Sequence, residues 1–368
     1  MAQVAIIATV LDGPHITGVE RYAIELIKHL QPHYDEVLVL CHPAGTKIFS
    51  GMAKLHIKRS PFTSRILTDQ VWVPWIIRRL RPDFIFNASL SYPWLGFDRT
   101  PFACVMHDAT PWRFPETTSQ GMRLYYKPLM RRELRSKHLK GIVTNSRSSK
   151  YDLVRYCAID ERMIWDIHLG VDHNVFRAVG PRVARSPFLL TVGTLEPRKN
   201  LQTAIRAFEL VASEWPDLSL VIVGRRGWLR SLEVPRDLAH RVQFTGYVTD
   251  EELAQLYRST ELFLMPSLYE GFGFPVLEAM CCGAPVLASR NSSLPEIGGD
   301  ACLYADPLSP EDFAKKMRLV LSDANLRRQL SERALARCQE FSWSLTAERT
   351  WSLIMSLANQ VTGAREQC

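Results

Sequence analysis

Pro266-Ser267-Leu268-Tyr269-Glu270-Gly271-Phe272-Gly273-Phe274-Pro275-Val276-Leu277-Glu278-Ala279-Met280 is the stretch on which the chain turns. Just ahead of it, the short apolar run Leu262-Phe263-Leu264-Met265 predicts a buried strand. Gly271 and Gly273 follow, one residue apart. Pro275 suits the first position of a helix, where its missing N–H costs nothing. The order is therefore strand, glycine-bearing turn, helix start. Such a turn gathers backbone N–H groups and the positive end of a helix dipole, which favours an anion. Glycines also let a ligand approach the backbone closely.

Two carboxylates flank the turn. Glu270 precedes the glycines, and Glu278 falls on the fourth expected helical position. An ionised carboxylate only accepts hydrogen bonds, so a hydroxyl-rich ligand is a natural partner for both. The same residues also read as a plain tight turn with a glutamate near a helix start. An isolated Gly-x-Gly does not choose between the two. Glu270 and Glu278, spaced around Gly-Phe-Gly-Phe-Pro, resemble the E-x7-E signature of the retaining glycosyltransferases of family 4. That resemblance implies the GT-B fold: two Rossmann-like parallel-sheet α/β domains facing each other across a cleft.

Composition sets the frame. A length of 368 residues suggests two domains. No apolar run approaches the roughly 20 residues of a membrane span. Val4-Ala5-Ile6-Ile7-Ala8-Thr9-Val10-Leu11 lacks a basic leader and runs into Asp12-Gly13-Pro14, so it predicts a first strand rather than a signal peptide. The eight cysteines form no CxxC, and neither a disulfide framework nor a zinc site is expected from their spacing. A reducing cytoplasm is the simplest fit.

The formal charge of +7 has a local source. Arg123, Lys127, Arg131, Arg132, Arg135, Lys137 and Lys140 are offset in their stretch only by Glu133, and Arg78, Arg79 and Arg81 lie upstream. Such a run is either a solvated face or a patch that attracts phosphate groups, as on an anionic membrane. Nucleic acid is disfavoured, because aromatic platforms and recognised modules are absent.

Along the chain, apolar runs alternate with helical patterns. Strands are expected at Val4–Val10, Val37–Leu40, Phe84–Phe86, Phe102–Met106 and Gly141–Thr144, with a helix over Glu20–Leu30. A break without periodicity runs from Leu169-Gly170-Val171-Asp172 to Ser186-Pro187 and reads as a linker. The alternation then restarts: strands at Phe188–Gly193, Leu218–Gly224, Val242–Gly246, Leu262–Met265, Pro285–Ala288 and Ala301–Tyr304, helices at Asn200–Ala212, Glu251–Tyr257, Leu326–Phe341 and Ser344–Leu357. The expected domains are 1–172 and 187–344. In the resembling family the final helix, here about 345–368, packs back on the first domain. Several strands end at glycine, the carboxyl edge where open α/β sheets bind ligands. No G-x-G-x-x-G follows any strand, which argues against a nicotinamide or flavin enzyme.

Arg198 and Lys199 sit just before a helix, where two cations oppose the macrodipole unless an anion joins them. A diphosphate would resolve the conflict, bound bidentately by Arg and as a point charge by Lys. The alternative is a pair of exposed loop cations. Their segment resembles the family's phosphate-binding Gly-x-x-x-x-x-Arg-Lys-Asn, with Gly193 as its glycine. His107 follows an apolar strand with Asp108 beside it; a lone His is either structural or, at a parallel strand end, functional. In the family the matching His contacts the donor sugar from the other domain, and Asp108 either caps the turn or faces the acceptor.

Gly18 precedes a helix and its backbone can reach a phosphate, although the family usually shows adjacent glycines there. Gly224-Arg225-Arg226-Gly227-Trp228 and Gly246-Tyr247-Val248-Thr249-Asp250 resemble loops near the nucleotide base and equally fit ordinary turns. Asn145 lies in a segment that resembles the acceptor border. Ser292-Ser293-Leu294-Pro295-Glu296-Ile297-Gly298-Gly299 resembles a segment of mannosyltransferase-like members.

No Asp-x-Asp points to a metal holding the diphosphate, and no His- or Cys-rich cluster is visible along the chain. No cofactor is expected. The resemblance covers almost the whole chain and implies a metal-independent, retaining hexosyltransferase. Its catalytic residues would be His107, Arg198, Lys199 and Glu270. Donor contacts would come from Gly18, Gly193, Arg198, Lys199, Tyr247, Val248, Glu270, Gly271, Phe272, Gly273, Phe274, Pro275 and Glu278. Asp108 and Asn145 would face the acceptor. The preferred reaction moves mannose from GDP-mannose to a lipid-linked glycan in bacterial surface polysaccharide assembly, in the cytoplasm or at the inner membrane face. A GDP-6-deoxyhexose or UDP-sugar donor, a sugar-nucleotide epimerase on the same fold, and a non-catalytic sugar-nucleotide-binding subunit are the alternatives.

Overall fold

The computed structural model describes residues 3–12, 16–49, 51–52, 55–97, 99–118, 120–181, 186–225, 227 and 232–366. Gly13-Pro14-His15, Arg182-Val183-Ala184-Arg185, Arg226 and Trp228, all singled out in the sequence, lie outside the described residues. The chain forms two compact units: Met1–Gly170 with Trp343–Cys368, and Val171–Ser342.

The first unit holds a seven-stranded parallel sheet. Its strands are β1 (Val4–Ala8), β2 (Val37–Cys41), β3 (His56–Arg59), β4 (Phe84–Asn87), β5 (Phe102–Val105), β6 (Leu139–Thr144) and β7 (Ile164–Asp166), in the order β3-β2-β1-β4-β5-β6-β7. The central register sets Ile6 opposite both Val39 and Phe86. Helices cover the sheet, so the inner strands read as unbroken apolar runs; all five residues of β1 are buried.

The second unit repeats the plan with β8 (Phe188–Val192), β9 (Ser219–Val223), β10 (Val242–Gly246), β11 (Leu262–Met265), β12 (Val286–Ser289) and β13 (Cys302–Ala305). The order is β10-β9-β8-β11-β12-β13, again parallel. Each chain starts centrally, steps to one edge, then restarts on the other side of its first strand. The switch points, where an open sheet binds ligands, fall between β1 and β4 and between β8 and β11.

Among the elements that the sequence pattern does not show are two strands and a helix. Strand β3, His-Ile-Lys-Arg, is mostly exposed, and its cations blunt a sheet edge. Strand β7 is only three residues long. Helix Pro310–Ser322 packs Phe313 and Met317 into the core that Ile205 and Phe208 of helix Leu201–Val211 share with β8 and β9. The expected linker is also shorter than its composition suggests. Phe176 is fully buried, and Val171 bridges to Ser342.

The last helix, Trp343–Glu366, belongs to the first unit and packs against helix Gly18–His29. Thr346 Oγ1 donates to the His168 carbonyl at 2.8 Å, and Trp351 stacks on His33. Gly141 in β6 leaves room for this helix: a Cβ there would lie 2.7 Å from Leu357 Cδ1.

Candidate functional site

Strands β8 and β11 are neighbours at the second switch point, and the segments that leave them meet. After β8, Pro197–Lys199 forms one 3-10 turn and Asn200 takes a left-handed conformation, φ 53°. Asn tolerates that region better than most residues. Its side-chain amide donates to the carbonyls of Pro266 and Pro307, at 2.9 and 2.7 Å, and so ties three loops together. The turn aims Arg198 and Lys199 at the segment after β11. Arg198 Nη1 donates to the Tyr269 carbonyl at 2.6 Å and to Glu270 Oε2 at 3.0 Å; Lys199 Nζ donates to Glu270 Oε1 at 2.7 Å.

Two carboxylates of the protein itself meet the pair of cations, which local sequence did not show. Glu270 takes one cation on each oxygen, and Glu196 takes Arg198 Nη2 at 2.6 Å. The four formal charges cancel. Glu196, one residue before Pro197, was missed in the sequence because nothing local marks it as a partner. A carboxylate offers about four acceptor sites, so Glu270 keeps capacity for a ligand hydroxyl.

Burial opposes ionisation of Glu270, but Lys199 and then Arg198 override it and hold its carboxyl at about 2 instead of 4.5. A lowered carboxylate pKa means the pairing is intact above pH 4.5 and lost as pH falls toward 2. Glu270→Gln should therefore lose about 2 kcal/mol less stability between pH 7 and pH 3 than the parent does. Urea unfolding at pH 7 and pH 3 measures the difference; equal acid losses in both proteins would remove Glu270 from the pair.

The turn itself is clamped from β12. Ser292 Oγ accepts the Glu270 N–H at 3.0 Å, Ser293 Oγ donates to the Glu270 and Phe272 carbonyls, and Asn291 Nδ2 donates to the Leu268 carbonyl. The Ser-Ser segment noted in the sequence thus positions the glutamate. Asn291 was missed.

The helix runs Phe274–Cys281, so Phe274 rather than Pro275 is its first residue and Glu278 its fifth. Gly273 caps it at φ 106°, and a Cβ there would lie 2.9 Å from Leu294 Cδ2. Gly273 is therefore required by backbone and packing, apart from any ligand. Gly271 and Phe272 are buried, whereas Phe274 and Pro275 are half-buried. Glu278 is buried, and its Oε2 accepts from Tyr257 Oη at 3.3 Å.

Next to this cluster, three strand ends converge on glycine. Gly193 after β8 donates to the Val223 carbonyl, and Gly224 after β9 donates to the Gly246 carbonyl, both at 2.9 Å. Lys199 runs beside Gly193, with Cδ 3.0 Å from where a Cβ would stand. Tyr247, which follows β10 with Val248, is exposed, and Arg225 lies over its ring at 5.8 Å.

The remaining sequence candidates occupy the first unit. Gly18 opens helix Gly18–His29, whose N-cap Thr17 gives its N–H to Glu20 Oε2 at 2.8 Å in a capping box. His107 follows β5, its ring edge-on to Tyr22 at 5.2 Å. Its Nε2 is buried with no hydrogen-bond partner among the described residues. Burial lowers its pKa to about 4, so the imidazole is neutral near pH 7 and able to donate or accept. Asp108 caps the following turn by accepting the Thr110 N–H at 2.8 Å. Asn145, after β6, is buried with Oδ1 unpartnered among the described residues.

Cys281 and Cys338, far apart in sequence, lie with His173 so that one ligand atom of each falls within 4.8 Å of the others.

The two parallel-sheet units are those of the GT-B class of glycosyltransferases. The model described as Glycosyltransferase Family 4 matches residues 16–175, and that described as Glycosyl transferases group 1 matches 172–337. The chain belongs to glycosyltransferase family 4. It is similar to the O-antigen chain mannosyltransferase B of Escherichia coli, 29% identical over 91% of this chain and 95% of that one. It is 31% identical to a serotype-specific mannosyltransferase WbdA of Escherichia coli over 89% of its own length but 43% of the relative, so it spans less than half of that protein. Among solved structures, sucrose-phosphate synthase from Thermosynechococcus elongatus shares the fold, with TM-score 0.76 and 20% identity over 97% of this chain and 99% of that one.

Proposed function

We propose that the chain is a retaining hexosyltransferase that moves mannose from GDP-mannose to a lipid-linked glycan during bacterial surface polysaccharide synthesis. The observation that carries this is the Arg198–Lys199–Glu270 cluster at the β8/β11 switch point. The mannosyltransferase names of the relatives favour mannose over the alternatives, a GDP-6-deoxyhexose or UDP-sugar donor or an epimerase.

In this mechanism Arg198 and Lys199 take up charge as the bond from the sugar anomeric carbon to the diphosphate oxygen breaks. The acceptor oxygen bonds to that carbon on the same face, and the departing phosphate oxygen receives the acceptor proton. Glu270 orients sugar hydroxyls through its remaining acceptor sites. Neutral His107 hydrogen-bonds the sugar, and Glu278 accepts from the ribose. The backbone at Gly18, Gly193 and Gly271–Pro275 lines the phosphates, and Tyr247 and Val248 border the base. Asp108 and Asn145 lie on the acceptor side. Fixed cations do the work a metal would do elsewhere, so transfer should proceed with magnesium and manganese withheld.

A thermal-shift panel of GDP, UDP, ADP and their sugars tests the donor. Binding raises apparent stability by mass action, and GDP and GDP-mannose should give the largest shifts. NMR of the product should show the donor's anomeric configuration; an inverted product sinks the retaining mechanism, and an isomerised donor without acceptor supports the epimerase.

Among the described residues no helix is long and apolar enough to cross a membrane. Peripheral contact at the inner face has support from the first unit's surface. Arg79 lies over the exposed ring of Trp75, and Arg132 holds the carbonyls of Pro93 and the exposed Trp94. Basic groups beside exposed Trp suit an anionic interface. Sedimentation with phosphatidylglycerol vesicles should bind the protein at low salt and release it at high salt; equal binding to neutral vesicles contradicts the electrostatic contact.

A further inference from the structure

We infer that His173, Cys281 and Cys338 form a site for a thiophilic divalent cation of the zinc type. The three residues come from separate places in the second unit: the segment that enters it, the last position of helix Phe274–Cys281, and the last position of helix Ala324–Cys338.

The histidine is set for metal by its outer contact. His173 Nε2 lies 3.0 Å from the Phe341 carbonyl, and a carbonyl only accepts, so Nε2 carries the hydrogen. In the neutral ring Nδ1 is then a lone pair, and it points at Cys281 Sγ, 3.9 Å away. A ligating His that gives its other N–H to a backbone carbonyl is the usual outer-shell arrangement of a metal site. Cys338 has a matching outer contact, since Gln339 Nε2 donates to its sulfur at 3.5 Å.

Size and charge also fit. Tetrahedral zinc, with Zn–S of about 2.3 Å and Zn–N of about 2.0 Å, separates S from N by about 3.5 Å and S from S by about 3.8 Å. All three ligand atoms already lie within 4.8 Å of one another, so closing round an ion takes movements of about 1 Å. Two helix C-termini converge here, and their negative ends favour a cation. Both cysteines are buried and His173 is half-buried, and zinc takes water as a fourth ligand where the protein offers three.

Two thiolates and an imidazole select zinc over magnesium or calcium. The site lies about 12 Å along its helix from Gly273, so its ion is not the diphosphate's counter-ion. It would fasten the entering segment to the ends of two helices, one of which starts at the Glu270 turn.

The test uses the full-length protein, reduced with a phosphine, freed of metal and titrated with Co2+ under nitrogen. A sulfur-to-cobalt charge-transfer band should saturate at one equivalent per chain and vanish on adding Zn2+. Cys281→Ser and Cys338→Ser should each roughly halve the band and weaken Co2+ binding, the double variant should abolish it, and His173→Gln should weaken Co2+ binding by at least roughly tenfold. Zn2+ should raise the melting temperature of the parent but not of Cys281→Ser. Should the variants fail to fold, mass spectrometry of the parent decides: Zn2+ should protect Cys281 and Cys338 from iodoacetamide and leave the other cysteines unchanged. A folded parent without the band, a band left at full intensity by the double variant of Cys281 and Cys338 to Ser, or a Cys281–Cys338 disulfide whose reduction restores no Co2+ binding would each overturn the site.

Discussion

Lys199→Ala should lower glycosyl transfer by about 100- to 1,000-fold, the usual cost of removing one preorganised group that meets developing charge. Under the proposed mechanism the loss should fall mainly on kcat, because a cation that meets charge developing on the diphosphate acts most strongly in the transition state. Lys199→Arg should recover only part of it. A guanidinium keeps the charge, but its planar fork does not reproduce the single contact Lys199 Nζ makes to Glu270 Oε1. A structural outcome accompanies the kinetic one. Without Lys199, the buried Glu270 keeps Arg198 as its cation, its carboxyl rises toward the ordinary range, and the acid limit of stability moves up. Kinetics with saturating and limiting donor, together with urea melts at pH 7 and pH 3, separate the two effects. Unchanged kcat with a raised acid limit would make Lys199 a partner of Glu270 and nothing more.

Gly224→Ala should be the most damaging single methyl in the second unit. A Cβ there would stand 1.9 Å from the Gly193 oxygen and 2.6 Å from its carbonyl carbon. Both obstacles are backbone and cannot rotate away. The edge of β8 and β9 must open, which strains the Gly193–Val223 and Leu195–Arg225 bonds and moves the turn that carries Arg198. Destabilisation above about 4 kcal/mol is rare for one substitution, and this contact is of the kind that causes it. For a unit of this size that corresponds to a fall in Tm of roughly 8–16 °C. Gly246→Ala is the control. It has nothing within 4 Å and only a left-handed φ of 74° to sustain, so it should cost about 1–2 kcal/mol. Calorimetry showing both variants within 1 °C of the parent would mean that the edge relaxes freely.

The sheet was largely legible because parallel strands covered on both faces have to be apolar along their whole length; Leu262–Met265 has the bounds that its composition implies. Two of the four edge strands were not: His56–Arg59 is mostly exposed and Ile164–Asp166 has only three residues, so neither carries a buried apolar run to betray it. Within the site, local order gave the residues and not their partners. Arg198 and Lys199 looked like cations short of an anion, because the carboxylate that meets them arrives from the neighbouring strand, 71 positions on from Lys199. The same blindness hid Cys281 and Cys338. Spacing rules find metal ligands on one hairpin or helix, and here three separate elements are brought together by folding alone.

The returning helix Trp343–Glu366 carries a consequence for synthesis. When the ribosome has made residue 342, the second unit has every strand it will own, whereas the first still lacks the helix that covers Gly141 and stacks Trp351 on His33. Nascent chains should therefore mature out of order, with the earlier-made half waiting on the later. By the same logic a clone stopped at residue 342 sacrifices the integrity of the half that was translated first.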